Sequence, residues 1–123
     1  GLAGTALVVD DEEAVRDVCA ALLQRIGYTV RAAPDCDSAL ALLRIDGPVD
    51  VLLTDVVMPG LGGVELGRRV AALHPTTLVV YMSGYPGDLT GAGDELLFLQ
   101  KPFSPADLEA LLAPCAPVAV APP

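Results

Sequence analysis

Acidic side chains and one lysine stand directly after apolar runs in this sequence, where they could act together. Asp10 and Asp11 follow the run "ALVV", Asp55 follows "VLLT", and Lys101 comes soon after "LLFL". Small proteins hold Mg²⁺ with a few carboxylates and several waters. Lysine suits phosphate oxygens as a compact positive charge, and a carboxylate can attack phosphorus as a nucleophile. These residue types therefore indicate magnesium-assisted phosphoryl transfer to a carboxylate.

The stretch "TALVVDDEE" runs an apolar segment into four consecutive carboxylates. Like charges held close together disfavour ionisation, and a carboxylate taken from water costs free energy unless a cation compensates it. We therefore expect a cation beside Asp10 and Asp11. Glu12 and Glu13 have a simpler interpretation as a solvated helix start, where acids interact favourably with the helix dipole.

Short apolar runs alternate with amphipathic segments along the whole chain. The runs show no polar alternation, which is typical of parallel strands covered on both faces. The predicted strands are 6–9, 29–33, 49–54, 78–82 and 96–99. This alternation of strand and helix predicts an α/β domain with right-handed crossovers and helices on both faces of one doubly wound parallel sheet.

The segments between the predicted strands carry apolar residues at helical spacing. The first helix has its apolar stripe from Val15 to Ile26, including Val18, and stops at Gly27. The second begins near the capping pair at 37–38, and the third covers about 64–73 with Leu73 directed inward. The last begins with the capping sequence "SPAD" at 104–107.

Open parallel sheets bind ligands at the carboxyl ends of their strands. The polar residues that follow the predicted strands should therefore meet at one edge of the sheet. Ser83, after the fourth strand, adds a hydroxyl donor for the same phosphoryl oxygens. The residues expected at this edge are Asp10, Asp11, Asp55, Ser83 and Lys101.

Composition restricts the possible partners. The chain has 123 residues, enough for one domain, and a net charge of −9. Such an acidic surface repels nucleic acid and anionic lipid, so we expect protein or cation partners and no direct membrane contact. The apolar runs are far shorter than the roughly 20 residues that span a bilayer. No secretory signal is visible, which favours a cytoplasmic location.

With these residues placed, the sequence resembles the receiver domain of two-component response regulators over nearly its whole length. "VVDDEE", "LLTDVVMPG", "MSGY" and "QKPF" occur in the family's order and on the expected elements. The resemblance implies a flavodoxin-like (CheY-like) five-stranded sheet of order 2-1-3-4-5. It also implies phosphoryl transfer to Asp55 from a histidine kinase or a histidine phosphotransfer domain, with Mg²⁺ as the cofactor.

The resemblance also implies roles for individual residues. Asp10, Asp11 and Asp55 match the family's metal site, to which the backbone carbonyl of Val57 would add a ligand. Ser83 matches the switch hydroxyl and Lys101 the invariant lysine, whose bond to the following proline the family holds in cis. Phe98 stands where the family has its rotating aromatic residue.

The sequence departs from the family between the fourth and fifth strands. The segment "YPGDLTGAGDE" is short and rich in glycine, which predicts a shortened or irregular fourth helix and puts the family's usual output face in doubt. Val57 and Tyr85 stand two residues after Asp55 and Ser83, where their apolar or bulky side chains would line the path of water that attacks the phosphorylated aspartate. We therefore expect slow self-dephosphorylation, which Val57→Asn and Tyr85→Ala should accelerate.

The segments "MSGY" and "FLQKPFSP" look like those of receivers fused to hybrid sensor histidine kinases. We expect a receiver domain at 5–113 and a tail or linker, rich in proline and alanine, at 114–123. No DNA-binding motif follows the last helix. The location would then be cytoplasmic, including the cytoplasmic part of a membrane-bound sensor kinase. A stand-alone, single-domain response regulator is the main alternative.

Two functions of other classes stay open. A phosphatase similar to haloacid dehalogenases would also use an aspartate, Mg²⁺ and lysine, but those enzymes carry a D-x-D motif on the first strand. Multiple turnover on a phosphomonoester would reveal such an enzyme. A pseudo-receiver that is never phosphorylated would bind partners only, and failure to bind Mg²⁺ would favour it. The receiver itself is expected to assist its own phosphorylation and dephosphorylation without being an enzyme.

Overall fold

A computed structural model describes residues 4–84 and 97–112 of the chain. The strands are β1 (Thr5–Val9), β2 (Thr29–Ala33), β3 (Val51–Asp55), β4 (Leu78–Ser83) and β5 (Leu97–Gln100). The helices are α1 (Glu13–Ile26), α2 (Cys36–Asp46), α3 (Gly63–Leu73) and α4 (Pro105–Leu112). In this part of the chain, no helix is long and apolar enough to span a membrane.

The strands form one five-stranded sheet in the order β2-β1-β3-β4-β5, and all neighbours are parallel. This confirms the predicted order. The register pairs Val9 of β1 with Thr54 of β3, so the residues that follow these two strands emerge side by side. The central position of β1 and β3 therefore brings Asp10 and Asp55 to the same edge of the sheet.

β1 and β3 are apolar along nearly their whole length because helices cover both faces of the sheet. Successive side chains of a strand point to opposite faces. Ala6 and Val8 pack in one core with α1 and α4, whereas Leu7 and Val9 pack in a second core with α2 and α3. Each face therefore needs an apolar residue at every second position, which gives the continuous apolar run seen in the sequence.

Three expectations of the sequence pattern are wrong in detail. β2 is an edge strand in which only Ala33 is buried, so it is not covered on both faces. Val18 of α1 and Leu73 of α3 are 59% and 65% exposed, although both belong to the predicted apolar stripes. The core-facing stripe of each helix is narrower than its apolar stripe, so residues on the flank or in the last turn remain in water.

Helix caps explain where two helices begin. α2 starts earlier than predicted because the side chain of Asp35, and not the 37–38 pair, accepts a hydrogen bond from the Ser38 N–H at 2.8 Å. α4 begins as predicted: the Ser104 N–H donates to Asp107 at 2.9 Å, and the Asp107 N–H donates to the Ser104 hydroxyl at 3.1 Å. The predictions of an irregular fourth helix and of a tail at 114–123 lie outside the described residues.

Candidate functional site

Asp10, directly after β1, is fully buried, and all four of its polar atoms have partners. Its N–H donates to the carbonyl of Ala33 at 3.2 Å, and its own carbonyl accepts from the Arg16 guanidinium at 2.8 Å. One carboxylate oxygen accepts from the Glu12 N–H at 2.9 Å, and the other accepts from Lys101 Nζ at 2.9 Å. Lys101 therefore supplies a cation beside Asp10, whereas the metal ion expected at the acidic run stays a prediction.

Asp55 ends β3 with its side chain 11% exposed. Its carboxylate lies 3.5 Å from Lys101 Nζ, in an ion pair. Burial raises the pKa of Asp55, the charge of Lys101 opposes this increase, and the charge of Asp10 adds to it. The net result is a pKa above the ordinary aspartate value, so the carboxylate is more basic than one in water.

Lys101 connects the two acids because its position is set by the neighbouring strand. Its backbone N–H donates to the Ser83 carbonyl at 2.8 Å, and its bond to Pro102 is cis, as the resemblance implied. Burial disfavours the ammonium form, but the hydrogen bond to Asp10 and the charges of Asp55 and Asp10 outweigh it and raise the pKa of Lys101. The side chain is therefore a fixed positive charge.

The three acids predicted as metal ligands form a cluster. One carboxylate oxygen from each of Asp10, Asp11 and Asp55 lies within 4.8 Å of the others. Hard oxygen donors in this number fit Mg²⁺, which keeps several of its waters in such sites. Both oxygens of Asp10 already accept hydrogen bonds, whereas Asp11 is exposed and, in the described part of the chain, the ion pair of Asp55 involves one oxygen. Asp11 and Asp55 are thus the more available donors.

The chain after Asp55 is held by backbone contacts. The Val56 N–H donates to the Met82 carbonyl at 3.0 Å, and the Gly63 N–H donates to the Val56 carbonyl at 2.9 Å. A Cβ at Gly63 would overlap the Asp55 carbonyl, so α3 can begin this close to β3 only with glycine there. Val57 lies in this loop and is 60% exposed.

The two predicted switch residues lie on the neighbouring strands. Ser83 is the last residue of β4 and is buried at the same edge of the sheet as Asp55. Phe98 of β5 is half-buried and lines an open pocket of about 640 Å³ together with Phe103 and Leu111. Tyr85, which was paired with Val57 in the dephosphorylation hypothesis, lies outside the described residues.

Sequence reasoning missed Arg16 and Gly63. A cation near the start of a helix interacts unfavourably with the helix dipole. The position of Arg16, one turn after Glu12, therefore indicates that its side chain has a specific partner. That partner is the Asp10 carbonyl. No local signal distinguishes Gly63 from its neighbours in the glycine-rich segment "PGLGG", because its constraint comes from the distance between β3 and α3.

A family model described as "Response regulator receiver domain" matches residues 6–113. This chain therefore belongs to the response regulator receiver domain family. It is 39% identical over 105 residues to the sensor kinase CckA of Brucella abortus, and this match covers 81% of this chain and 11% of CckA. It is 33% identical to the phosphate regulon regulator PhoB of Pseudomonas aeruginosa, over 88% of this chain and 49% of PhoB.

Solved structures agree with this assignment. The receiver domain of the hybrid histidine kinase CckA matches with a TM-score of 0.76 and 35% identity, covering 90% of this chain and 97% of that one. The receiver domain of NtrX from Brucella abortus matches with a TM-score of 0.78 and 33% identity, covering 89% and 95%. The protein is thus a receiver domain of two-component signal transduction, similar to the receiver of a hybrid kinase, and spans about half or less of these curated relatives.

Proposed function

We propose that this receiver domain accepts a phosphoryl group on Asp55 from a phosphohistidine, with Mg²⁺ held by Asp10, Asp11 and Asp55. One observation carries the proposal: a carboxylate of raised pKa lies 3.5 Å from a fixed ammonium group and beside two further acids. The nucleophile, its charge compensation and a set of metal ligands are thus assembled at one edge of the sheet.

In the proposed reaction, a carboxylate oxygen of Asp55 forms a bond to phosphorus while the bond between phosphorus and the donor imidazole breaks. The electron pair of that bond returns to the imidazole nitrogen, and Asp55 becomes an acyl phosphate. The ammonium of Lys101 offsets the charge of the phosphoryl oxygens. Mg²⁺, when bound, supplies further neutralisation of the same oxygens.

Three residues would complete the site by analogy with the family. The backbone carbonyl of Val57 would be a further metal ligand. The Ser83 hydroxyl would donate to a phosphoryl oxygen, because Ser83 ends the strand next to β3. Phe98 would change its packing when Ser83 and Lys101 are drawn toward the added charge of about −2 on Asp55.

An apolar groove beside Lys101 fits the docking of the phosphoryl donor. The groove has a volume of about 510 Å³ and lies between α1 and the segment after β5, with Val18, Leu22 and Phe103 in its lining. Val18 is 59% exposed there. Val18→Glu should slow transfer from a phosphohistidine donor about tenfold, since it places a charge in an apolar contact. Phosphorylation by acetyl phosphate, which needs no docking surface, should keep its rate.

We also propose the wider context. The receiver domain would cover 5–113 with a tail or linker at 114–123, and the matched range of 6–113 supports these bounds. The partner would be a histidine kinase or a histidine phosphotransfer domain, on another protein or in the same chain as in a hybrid kinase. The domain would work in the cytoplasm and would not turn over a free substrate as an enzyme.

The test is the intact mass of the protein after incubation with acetyl phosphate, with and without Mg²⁺. The wild type should gain one phosphoryl group only with Mg²⁺, and Asp55→Asn should gain none. Asp17→Asn, which changes an exposed acid of α1, is the matched control and should behave as the wild type. No gain under any condition would favour a pseudo-receiver, and multiple turnover on a phosphomonoester would favour a phosphatase.

A further inference from the structure

A groove between the C-terminal halves of α2 and α3 lies apart from the phosphoryl-acceptor site. We call it the α2–α3 groove; its volume is about 680 Å³, and its apolar lining consists of Leu40, Leu43, Ala72 and Leu73. Helices that connect parallel strands run antiparallel to them, so these helix ends lie at the edge of the sheet opposite to Asp55. A molecule in this groove would therefore leave Asp55 accessible.

The apolar surface here is larger than the fold needs. Leu73 is 65% exposed at the end of α3, although its position in the helical pattern belongs to the apolar stripe. A single exposed apolar residue is ordinary, but Leu73 continues the apolar lining of a groove that has a charged rim, which is typical of an interaction site.

The rim of the groove is positively charged, in contrast to the chain as a whole. Arg44 of α2 and Arg69 of α3 line the groove, and Arg68 neighbours Arg69. Glu65 pairs with Arg68 at 3.7 Å and with Arg69 at 3.4 Å. Arg44 has no ion pair within the described ranges. The groove rim therefore carries two guanidinium groups, Arg44 and Arg69, on a protein of net charge −9.

We propose that the α2–α3 groove binds an acidic amphipathic helix of a partner protein. Such a helix would place its apolar stripe on Leu73 and the groove floor, and its carboxylates against Arg44 and Arg69. A second copy of this chain, or a broad anionic membrane, would face the net charge of −9 over a large part of the surface and would be repelled. A single helix between α2 and α3 faces mainly the local charges of Arg44 and Arg69.

The test uses a synthetic, end-blocked peptide of about four helical turns with leucine on one face and glutamate on the other. Its binding is followed by fluorescence anisotropy and by backbone amide shifts of the full chain. Two comparison peptides have the same composition without an apolar face, or lysine in place of glutamate. We expect saturable binding of the acidic amphipathic peptide alone, with shifts confined to α2 and α3.

Charge reversal locates the site. Arg44→Glu should weaken binding of the peptide at least about fivefold, and Leu73→Asn should do so as well. Arg25→Glu, at an exposed cation in the last turn of α1, is the matched control and should change it less than about twofold. Phosphorylation of Asp55 by acetyl phosphate should keep its rate in all three variants. Failure of the docking proposal can therefore be distinguished from failure of the proposed phosphoryl-acceptor function.

Three results would overturn the proposal. The first is no binding of the acidic peptide, or equal binding of either comparison peptide. The second is a set of shifts centred on α1 and α4 instead of α2 and α3. The third is binding of the domain to vesicles of anionic phospholipid through Arg44 without binding of the acidic peptide. This result would make the groove a lipid site.

Discussion

The junctions that follow β1 and β3 lie side by side at one edge of the sheet, yet they are held by different forces. After β1, side-chain groups of Arg16 and Lys101 fix Asp10 through hydrogen bonds of 2.8 and 2.9 Å. After β3, backbone hydrogen bonds and the close approach of Gly63 fix the loop. Within residues 4–84 and 97–112, the carboxylate of Asp55 is held by its ion pair to Lys101.

This difference indicates that Asp10 supports the site, whereas Asp55 is free to react. Asp10 has no polar atom without a partner, so it can hold charge in place but has little freedom to react. Asp55 is held through its main chain, and its side chain keeps lone pairs for the proposed bonds to phosphorus and to a metal. Hydrogen bonds with ionised groups are stronger than neutral ones, which makes the β1 junction the rigid half of the site.

The largest expected effect is at Lys101, the contact that the two junctions share. Lys101→Met leaves the fully buried Asp10 without its cation, and we expect the free energy of unfolding to fall by about 3 kcal/mol. Phosphorylation by acetyl phosphate should slow at least about a hundredfold, because the charge that stabilises the phosphoryl oxygens is lost. Urea unfolding and phosphorylation kinetics measure the two effects.

Arg25→Met removes an exposed cation of α1 and serves as the control for Lys101→Met, with little change in either quantity. If both variants lost the same stability, the pair between Lys101 and Asp10 would have no special role. If Lys101→Met kept the wild-type phosphorylation rate, the charge compensation of Asp55 would have to come from the metal alone.

Gly63 tests the backbone control of the β3 junction. In Gly63→Ala the added Cβ meets the Asp55 carbonyl, so α3 must move away from β3, and we expect a loss of about 3 kcal/mol. Gly60→Ala is the matched variant: its φ of +76° strains an L-residue, but its Cβ meets nothing within 4 Å. It should lose only about 1 kcal/mol. Equal losses, measured by thermal unfolding, would show that conformation and not close approach limits this loop.

Much of this site could be predicted from the sequence because it depends on strand ends. Five apolar runs place five strands, and a parallel sheet brings the residues after them to one edge, so Asp10, Asp55 and Lys101 were found before the fold was known. Arg16 and Gly63 were not found because their roles depend on distances between elements. The exposure of Val18 and Leu73 was missed for the same reason: a helical pattern gives an apolar face but not how much of it the sheet covers.

Arg16 tests the side-chain control of the β1 junction, with a smaller expected effect. Arg16→Gln removes the hydrogen bond to the Asp10 carbonyl and should cost about 1 kcal/mol of unfolding free energy. The affinity for Mg²⁺ should fall about threefold, because Asp11 follows directly on the backbone that Arg16 holds. Calorimetric titration with Mg²⁺ measures the affinity, and Arg25→Gln is the control. An unchanged affinity together with reduced stability would make Arg16 a purely structural residue.

Substitution of Val57 gives the smallest and most specific expected effect. It changes an exposed side chain of the loop after β3 and leaves the backbone contacts of that loop in place. Val57 lies two residues after Asp55 and is 60% exposed, so Val57→Asn should leave stability and phosphorylation nearly unchanged. An amide at this position can orient a water molecule toward the acyl phosphate, as water-positioning residues do in other phosphoryl-transfer sites. The decay of the acyl phosphate should therefore accelerate about threefold.

This decay is followed by the loss of the phosphorylated mass after the donor is removed. Val57→Leu, which keeps the apolar surface, is the control and should decay as the wild type does. If Val57→Asn also decays at the wild-type rate, this side chain does not limit the access of water, and slow dephosphorylation would have to depend on other residues around Asp55.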